Sequence, residues 1–199
     1  MADTRERILD AAARVLREQG LSRTTTKRIA RESGFSEANL YKRFRDKNEL
    51  LLAVLTERGG PFGHIVAGAR DRAGTGTVRR NLEEIAAAAL DFYTEAVPTG
   101  GAIFADPQLF SAFRDHLAER GLGPHVPRDL VAAYLRDERE LGRLRADTDA
   151  HATAALLLGA CFQQAFLSHF TAEPRAADAD RDTAAALVRT LLGPLLPPE

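Results

Sequence analysis

Residues 24–47 read TTTKRIARESGFSEANLYKRFRDK, and this stretch has the layout of two short helices joined by a tight turn. The threonines open the first helix, because a Thr hydroxyl accepts from the free N–H groups of a first turn, and Ile29 and Ala30 then face inward. Ser33-Gly34-Phe35 interrupts it. Gly34 stands where a turn between two crossed helices needs a residue that tolerates positive φ, and Phe35 supplies a buried plug. Ser36 caps the second helix, predicted to run from Ser36 to Phe44. Its apolar positions Leu40 and Phe44 form an i, i+4 pair, so Glu37, Ala38, Lys42 and Arg43 point to the opposite face. A helix that starts with small or polar side chains fits a DNA major groove, with Ala38 permitting close approach. On that reading Tyr41 and Lys47 flank it as phosphate contacts.

RIARESGFS at residues 28–36 followed by LYKRFRDKNELL at 40–51 resembles the signature of the TetR family of transcriptional repressors. The glycine, the capping serine, Leu-Tyr, Phe and the later lysine all fall at the expected offsets. The resemblance implies an all-α protein with a three-helix helix-turn-helix domain at 1–47 and a larger helical ligand-binding and dimerisation domain at 48–199. It implies a homodimeric repressor, held on a palindromic operator in double-stranded DNA and released by a small-molecule inducer. The DNA-facing set carried over is Thr24, Thr25, Thr26, Lys27, Ser36, Glu37, Ala38, Asn39, Tyr41, Lys42, Arg43 and Lys47. Three positions depart from the common pattern: Glu37 replaces a frequent lysine, Ala38 a frequent glycine and Asn39 a usual threonine. They leave the motif intact but carry no operator sequence with them, and Glu37 is open to a plainer role, pairing with Arg43 or cancelling charge at the helix start.

Charge supports the division. The 199-residue chain has a net charge of -1, yet residues 1–47 hold 12 Lys+Arg against 7 Asp+Glu, leaving 15 against 21 for the rest. The basic part is the helix-turn-helix part. Its three lysines, Lys27, Lys42 and Lys47, are the only ones in the chain. A single cysteine excludes an intramolecular disulfide and a Cys-rich zinc site. The start MADTRERILD is charged and amphipathic, unlike a signal peptide, and the apolar run around Ala152 to Phe162 is short for a membrane span. A soluble, cytoplasmic protein with no membrane partner is therefore expected.

Along the chain, a first helix is predicted from Asp3 or Thr4 to about Gln19, with Arg5 and Arg7 read as solvated surface, the resemblance allowing either a phosphate contact, and another from Asp46 with Leu50, Leu51, Val54 and Leu55 inward. Gly59-Gly60-Pro61 reads as its stop, and Gly74-Thr75-Gly76 as a second break. A helix over Leu82 to Val97 is expected to end at Pro98-Thr99-Gly100-Gly101. Others follow from Pro107 to about Arg120, Arg128 to Leu141, Asp147 to Phe170 and Thr183 to Leu196, with a polar link at Glu173 to Asp182.

The helix around AALLLGACFQQAFLSHF is apolar nearly all round and must be covered on both sides. Leu157, Cys161, Phe162 and Ala165 are assigned to its own core. Leu156, Gly159, Ala160, Gln164 and Leu167, with Leu187, Val188, Leu191 and Leu195 of the last helix, are assigned to a four-helix seam with a second copy. The resemblance places an inducer pocket among the middle helices; Phe92, Tyr93, Phe104, Phe110, Phe113, Phe162 and Phe166 are candidate walls, with His116, Gln163, Gln164 and His169 as polar anchors. Plain core packing is the alternative for every aromatic among them. No cofactor is expected. The five histidines show no paired ligand spacing, so no metal site is expected. The one nucleophile-and-base pairing worth weighing, Cys161 with His169, lies eight residues apart on one helix, about 12 Å along its axis, too far for direct proton transfer. A DNA-binding dimer without an inducer is the remaining alternative.

Overall fold

The computed structural model describes residues 3–58, 61–171 and 178–196. Among them lie ten α-helices and no strand. Gly59, Gly60 and residues 172–177, with them the first half of the expected link, fall outside the described residues. The chain packs as two compact units, residues 1–59 with 95–123 and residues 60–94 with 124–199.

The first unit opens with α1 (Thr4–Gln19), whose inward face is Ile8, Leu9, Ala12, Val15 and Leu16 and which ends at Gly20, φ 74°. After a single 3-10 turn come α2 (Thr26–Ser33), α3 (Glu37–Tyr41) and α4 (Lys47–Glu57). Leu50, Leu51, Ala53 and Val54 of α4 join the α1 face, Ile29, Leu40 and Phe44 in one apolar cluster. Burying a Leu or Phe side chain of this kind is worth about 1.5–3 kcal/mol. Ion pairs tie the rims of the same two helices: Arg5 grips Glu57 with bonds of 2.7 and 2.6 Å, and Arg58 reaches Glu6 at 2.6 Å and Asp10 at 2.8 Å. α4 thus packs in the same compact unit as the helix pair before it. The unit is completed by α7 (Pro107–Glu119), with Ile103 and Leu109 in its core.

The second unit comprises α5 (Phe62–Ala67), a 3-10 turn at Arg70–Arg72, the first part of α6 (Val78–Phe104), then α8 (His125–Glu140), α9 (Ala150–Ser168) and α10 (Ala179–Leu192). Its core gathers Phe62, Leu82, Ile85, Leu90, Val131, Tyr134, Leu135, Leu157, Cys161 and Val188. A buried polar knot fastens the glycine-rich loop at 74–76. Glu138 is fully buried with Arg143 at 3.2 Å, Asn81 donates to the Tyr134 hydroxyl and the Thr75 carbonyl, and Arg143 donates to the Gly76 carbonyl.

Several predicted boundaries are corrected. α6 runs through Pro98, Gly100 and Gly101 to Phe104 instead of ending at Pro98. Proline deprives a helix of one N–H, and the carbonyl that this N–H would have met, that of Thr94, lies 3.0 Å from His169 Nε2; Ile103, beyond the glycines, is buried and holds the last turn. α3 stops at Tyr41, short of Phe44, so Phe44 is buried from the following turn. α8 starts at His125, because Pro127 sits in its first turn, where an N–H has no helical partner to lose. α10 starts at Ala179, its first turn carrying Asp180 and Asp182 where carboxylates favour the positive helix end.

α9 is 19 residues long with mean hydropathy 1.3, long and apolar enough by length and composition to cross a membrane, contrary to the expectation from its central run. Such length and composition are also those of a core helix, and 39% of its most apolar window is buried within the chain.

Candidate nucleic-acid interface

The start of α2 and the start of α3 are each fixed by a local hydrogen bond that the sequence encodes. The N–H of Arg28 donates to Thr25 Oγ1, and the N–H of Asn39 donates to Ser36 Oγ, each at 3.3 Å. Between them Gly34 is left-handed at φ 76°, a conformation that would strain any side chain with a Cβ. Asp46 then caps α4 by accepting from the Glu49 N–H at 2.8 Å, and that bond holds its carboxyl below the usual carboxylate range. This cap fixes the turn carrying Lys47, the first residue of α4.

Arg7 completes the turn from outside it. Its Nη2 donates to the Ser33 carbonyl at 3.3 Å while its guanidinium lies 4.7 Å from the centre of the Phe35 ring. Arg5, beside Phe44 at 5.6 Å, is held by Glu57. Both arginines, read from sequence as solvated surface with a phosphate contact as the alternative, thus brace the fold. Arg7 was not legible as a clamp, since nothing local pairs residue 7 with residue 35.

Leu40 and Phe44 are buried, whereas Ala38, Lys42, Arg43 and Tyr41, the last 50% exposed, lie on the surface. Lys27 and Thr25 are exposed with them, while Thr26, Glu37, Asn39 and Lys47 are partly exposed. Thr24 does not belong to this face: it is fully buried and its hydroxyl donates to the Gly20 carbonyl at 2.8 Å, closing the turn before α2. The carboxylate of Glu37 has Thr26 as its partner instead of Arg43, with Thr26 Oγ1 donating to Oε2 at 2.8 Å. Lys47 also lines a cleft of about 250 Å³ with Leu21, Ser22, Asn48, Leu51, Ala102, Ala105, Asp106 and Leu109. Sequence reading missed this cleft because its walls come from segments more than 50 residues apart.

The pocket candidates divide between the two units. Phe92 and Tyr93 meet Phe62, and Phe162 joins through Tyr93: Phe62 and Phe92 stack at 5.2 Å, and Phe162 meets Tyr93 edge-on at 5.5 Å. Burial pushes the Tyr93 hydroxyl up to about 12. Gln163 and Phe166 are exposed on the same unit, Phe166 against Phe170. Phe104, Phe110, Phe113 and His116 belong to the first unit, where Phe104 and Phe110 pair at 5.2 Å on the surface and Phe113 packs on the core containing Leu109.

Of the seam candidates, Leu156 is 65% exposed, Gly159, Gln164 and Leu167 are exposed, and Ala160, Leu187, Leu191 and Leu195 are partly so. Val188 is fully buried in the chain's own core and is withdrawn from that face. Phe162, assigned to the core, is half-exposed. Cys161 is fully buried, its Sγ 3.7 Å from the Ala86 carbonyl, and burial pushes its thiol up to about 12, so no thiolate is poised for attack. His169 is engaged with Thr94.

A capped helix pair whose second member, with the turn after it, hides Leu40 and Phe44 and bares Ala38, Lys42 and Arg43 has the form of a helix-turn-helix regulator of transcription. Residues 8–54 match the family described as bacterial regulatory proteins, tetR family. The chain is 28% identical over 150 residues, 75% of either sequence, to the HTH-type transcriptional regulator YvkB of Bacillus subtilis (strain 168). Its fold superposes on a TetR-family regulator from Mesorhizobium loti MAFF303099 with TM-score 0.78, 18% identity and coverage of 98% and 97% of the two chains. It also superposes on SmeT, the repressor of the Stenotrophomonas maltophilia multidrug efflux pump SmeDEF, with TM-score 0.64, 20% identity and 98% and 92% coverage. Residues 8–54 are thus a TetR-type DNA-binding domain, and the chain as a whole has the fold of TetR-family regulators.

Proposed function

We propose that this regulator is a cytoplasmic homodimeric repressor that seats two copies of α3 in successive major grooves of a palindromic operator and is released by a small-molecule inducer. The observation that carries the reading is the two-faced character of α3 and its turn, with Leu40 and Phe44 buried and Ala38, Tyr41, Lys42 and Arg43 exposed. Exposed cations of this kind lose affinity steeply with salt through counterion release. Ala38, Asn39, Lys42 and Arg43 form the base-reading set with Glu37, and Thr25, Thr26, Lys27, Ser36, Tyr41 and Lys47 the backbone-positioning set.

The exposed apolar strip of α9, Leu156, Gly159 and Leu167, with Leu187, Leu191 and Leu195 beside it, joins the two copies. The aromatic group Phe62, Phe92, Tyr93 and Phe162 is the starting point for an inducer site, and SmeT's role as a repressor supports the direction of control. No catalytic step is assigned, since Cys161 and His169 are each engaged elsewhere.

The test is in vitro selection from randomised duplexes at low ionic strength, followed by sedimentation of the complex. Two chains on one inverted repeat are expected, and a monomer bound to an asymmetric site would refute the dimeric reading. A thermal-shift screen then supplies ligands. Release of the operator by a stabilising compound is expected, and stabilisers that never affect DNA binding would remove the inducer.

A further inference from the structure

A carboxylate on a DNA-reading face is repelled by every phosphate, and the groups of the duplex that it can pair with are the base-edge amino donors. Glu37 is the first residue of α3, the end of a recognition helix that reaches base edges. Its side chain is not free to swing. Thr26 Oγ1 donates to Glu37 Oε2 at 2.8 Å, and Tyr41 supplies a longer contact to the same Thr26 oxygen at 3.5 Å. Oε1 has no hydrogen-bond partner among the described residues and is left as an acceptor.

Resting on the helix-turn-helix reading above, we infer that Glu37 reads a cytosine in each half-site through its N4 amino group, and that Thr26 is the residue positioning it. Two bases offer amino donors in the major groove, cytosine at N4 and adenine at N6, but adenine sets its N7 acceptor beside the donor and so faces a carboxylate with a lone pair. Cytosine offers the donor without an acceptor of its own beside it. The choice is enforced by Thr26. A carboxylate tethered at one oxygen presents the other at a fixed place, whereas an untethered Glu would turn away from the duplex and lose discrimination.

The experiment is selection from randomised duplexes with the full chain, run in parallel on the wild type, Glu37→Gln, Thr26→Val and Thr26→Ser. The wild type is expected to favour C at one position per half-site by roughly tenfold, the size of one good base contact. Glu37→Gln should move that position alone towards A, since a carboxamide matches both adenine N6 and N7. Thr26→Val should flatten preference at the same position, and Thr26→Ser should restore it. Glu37→Gln with the wild-type motif intact, or with affinity raised for all sequences alike, overturns the inference, the latter meaning that Glu37 only repels phosphate. If the wild type selects a motif without that C, Glu37 is not the reader; if it selects no motif at all, the DNA-reading face itself falls.

Discussion

The Nε2 of His169 lies 3.0 Å from the carbonyl oxygen of Thr94, four residues before Pro98 in α6. In an uninterrupted helix that carbonyl would accept from the N–H of residue 98, which proline lacks. The imidazole at the end of α9 thus takes up a bond that α6 gives away, and α6 continues as a helix to Phe104. His169→Ala should cost about 0.5–1.5 kcal/mol of unfolding free energy, the net value of one such bond. In a Pro98→Ala background the same change should cost less, because the helix then supplies its own donor. Urea unfolding of the four proteins measures the coupling, and additive effects would separate the two residues.

Phosphate contacts and base contacts leave different signatures. Replacing Lys47 or Tyr41 by alanine should weaken binding to all duplexes alike, and the slope of log affinity against log salt should fall by about one for Lys47. Lys42→Ala should instead alter the ranking of sequences. Fluorescence anisotropy on a selected operator and its single-base variants, across salt concentrations, distinguishes them. A loss confined to one operator position for Lys47 would contradict its place beside the Asp46 cap as a backbone contact.

What could be read beforehand follows the range of the forces involved. The helix-turn-helix was legible because Thr25, Gly34, Ser36 and Asp46 each act on residues within four positions. The pairing of Thr26 with Glu37 was not, since each residue is equally at home at the start of its own helix and only the crossing of α2 and α3 brings them together. Pro98 with Gly100 and Gly101 is a strong local stop, overridden by a histidine 71 positions further on and by burial of Ile103. The aromatics Phe104 and Phe162 carry the same sequence signal, yet the packing assigns them to different units.

His116 predicts a dependence on pH. Burial, then the charge of Arg120, lowers its pKa from the ordinary value of 6.5. Its Nδ1 lies 3.0 Å from an Arg120 guanidinium nitrogen, a bond that exists only while that nitrogen carries no proton. The folded chain therefore binds fewer protons at this site than the unfolded chain, and the penalty grows as pH falls below 6.5 towards the folded value. Stability should drop between pH 7.5 and 5.5, and His116→Gln should make that drop smaller. Urea midpoints at the two pH values test it, and equal drops in the two proteins would exclude His116 as a source.

Gly159 gives the dimer seam a test that does not depend on misfolding. A Cβ added there meets nothing within 4 Å in the chain, so a larger side chain points into open space in a lone copy. Replacing a mid-helix glycine removes a cost of about 0.5–1 kcal/mol. Gly159→Leu should thus leave the helical circular dichroism unchanged and the single chain no less stable. In the proposed seam, where small residues let two copies of α9 approach, the same leucine should force them apart and raise the dimer dissociation constant by tenfold or more, equivalent to about 1.4 kcal/mol. Sedimentation equilibrium reads the difference. Leu156→Arg, at the most exposed leucine of α9, should act in the same direction by burying an unpaired charge between copies. If both variants remain dimers as tight as the wild type, this face of α9 does not join the two chains.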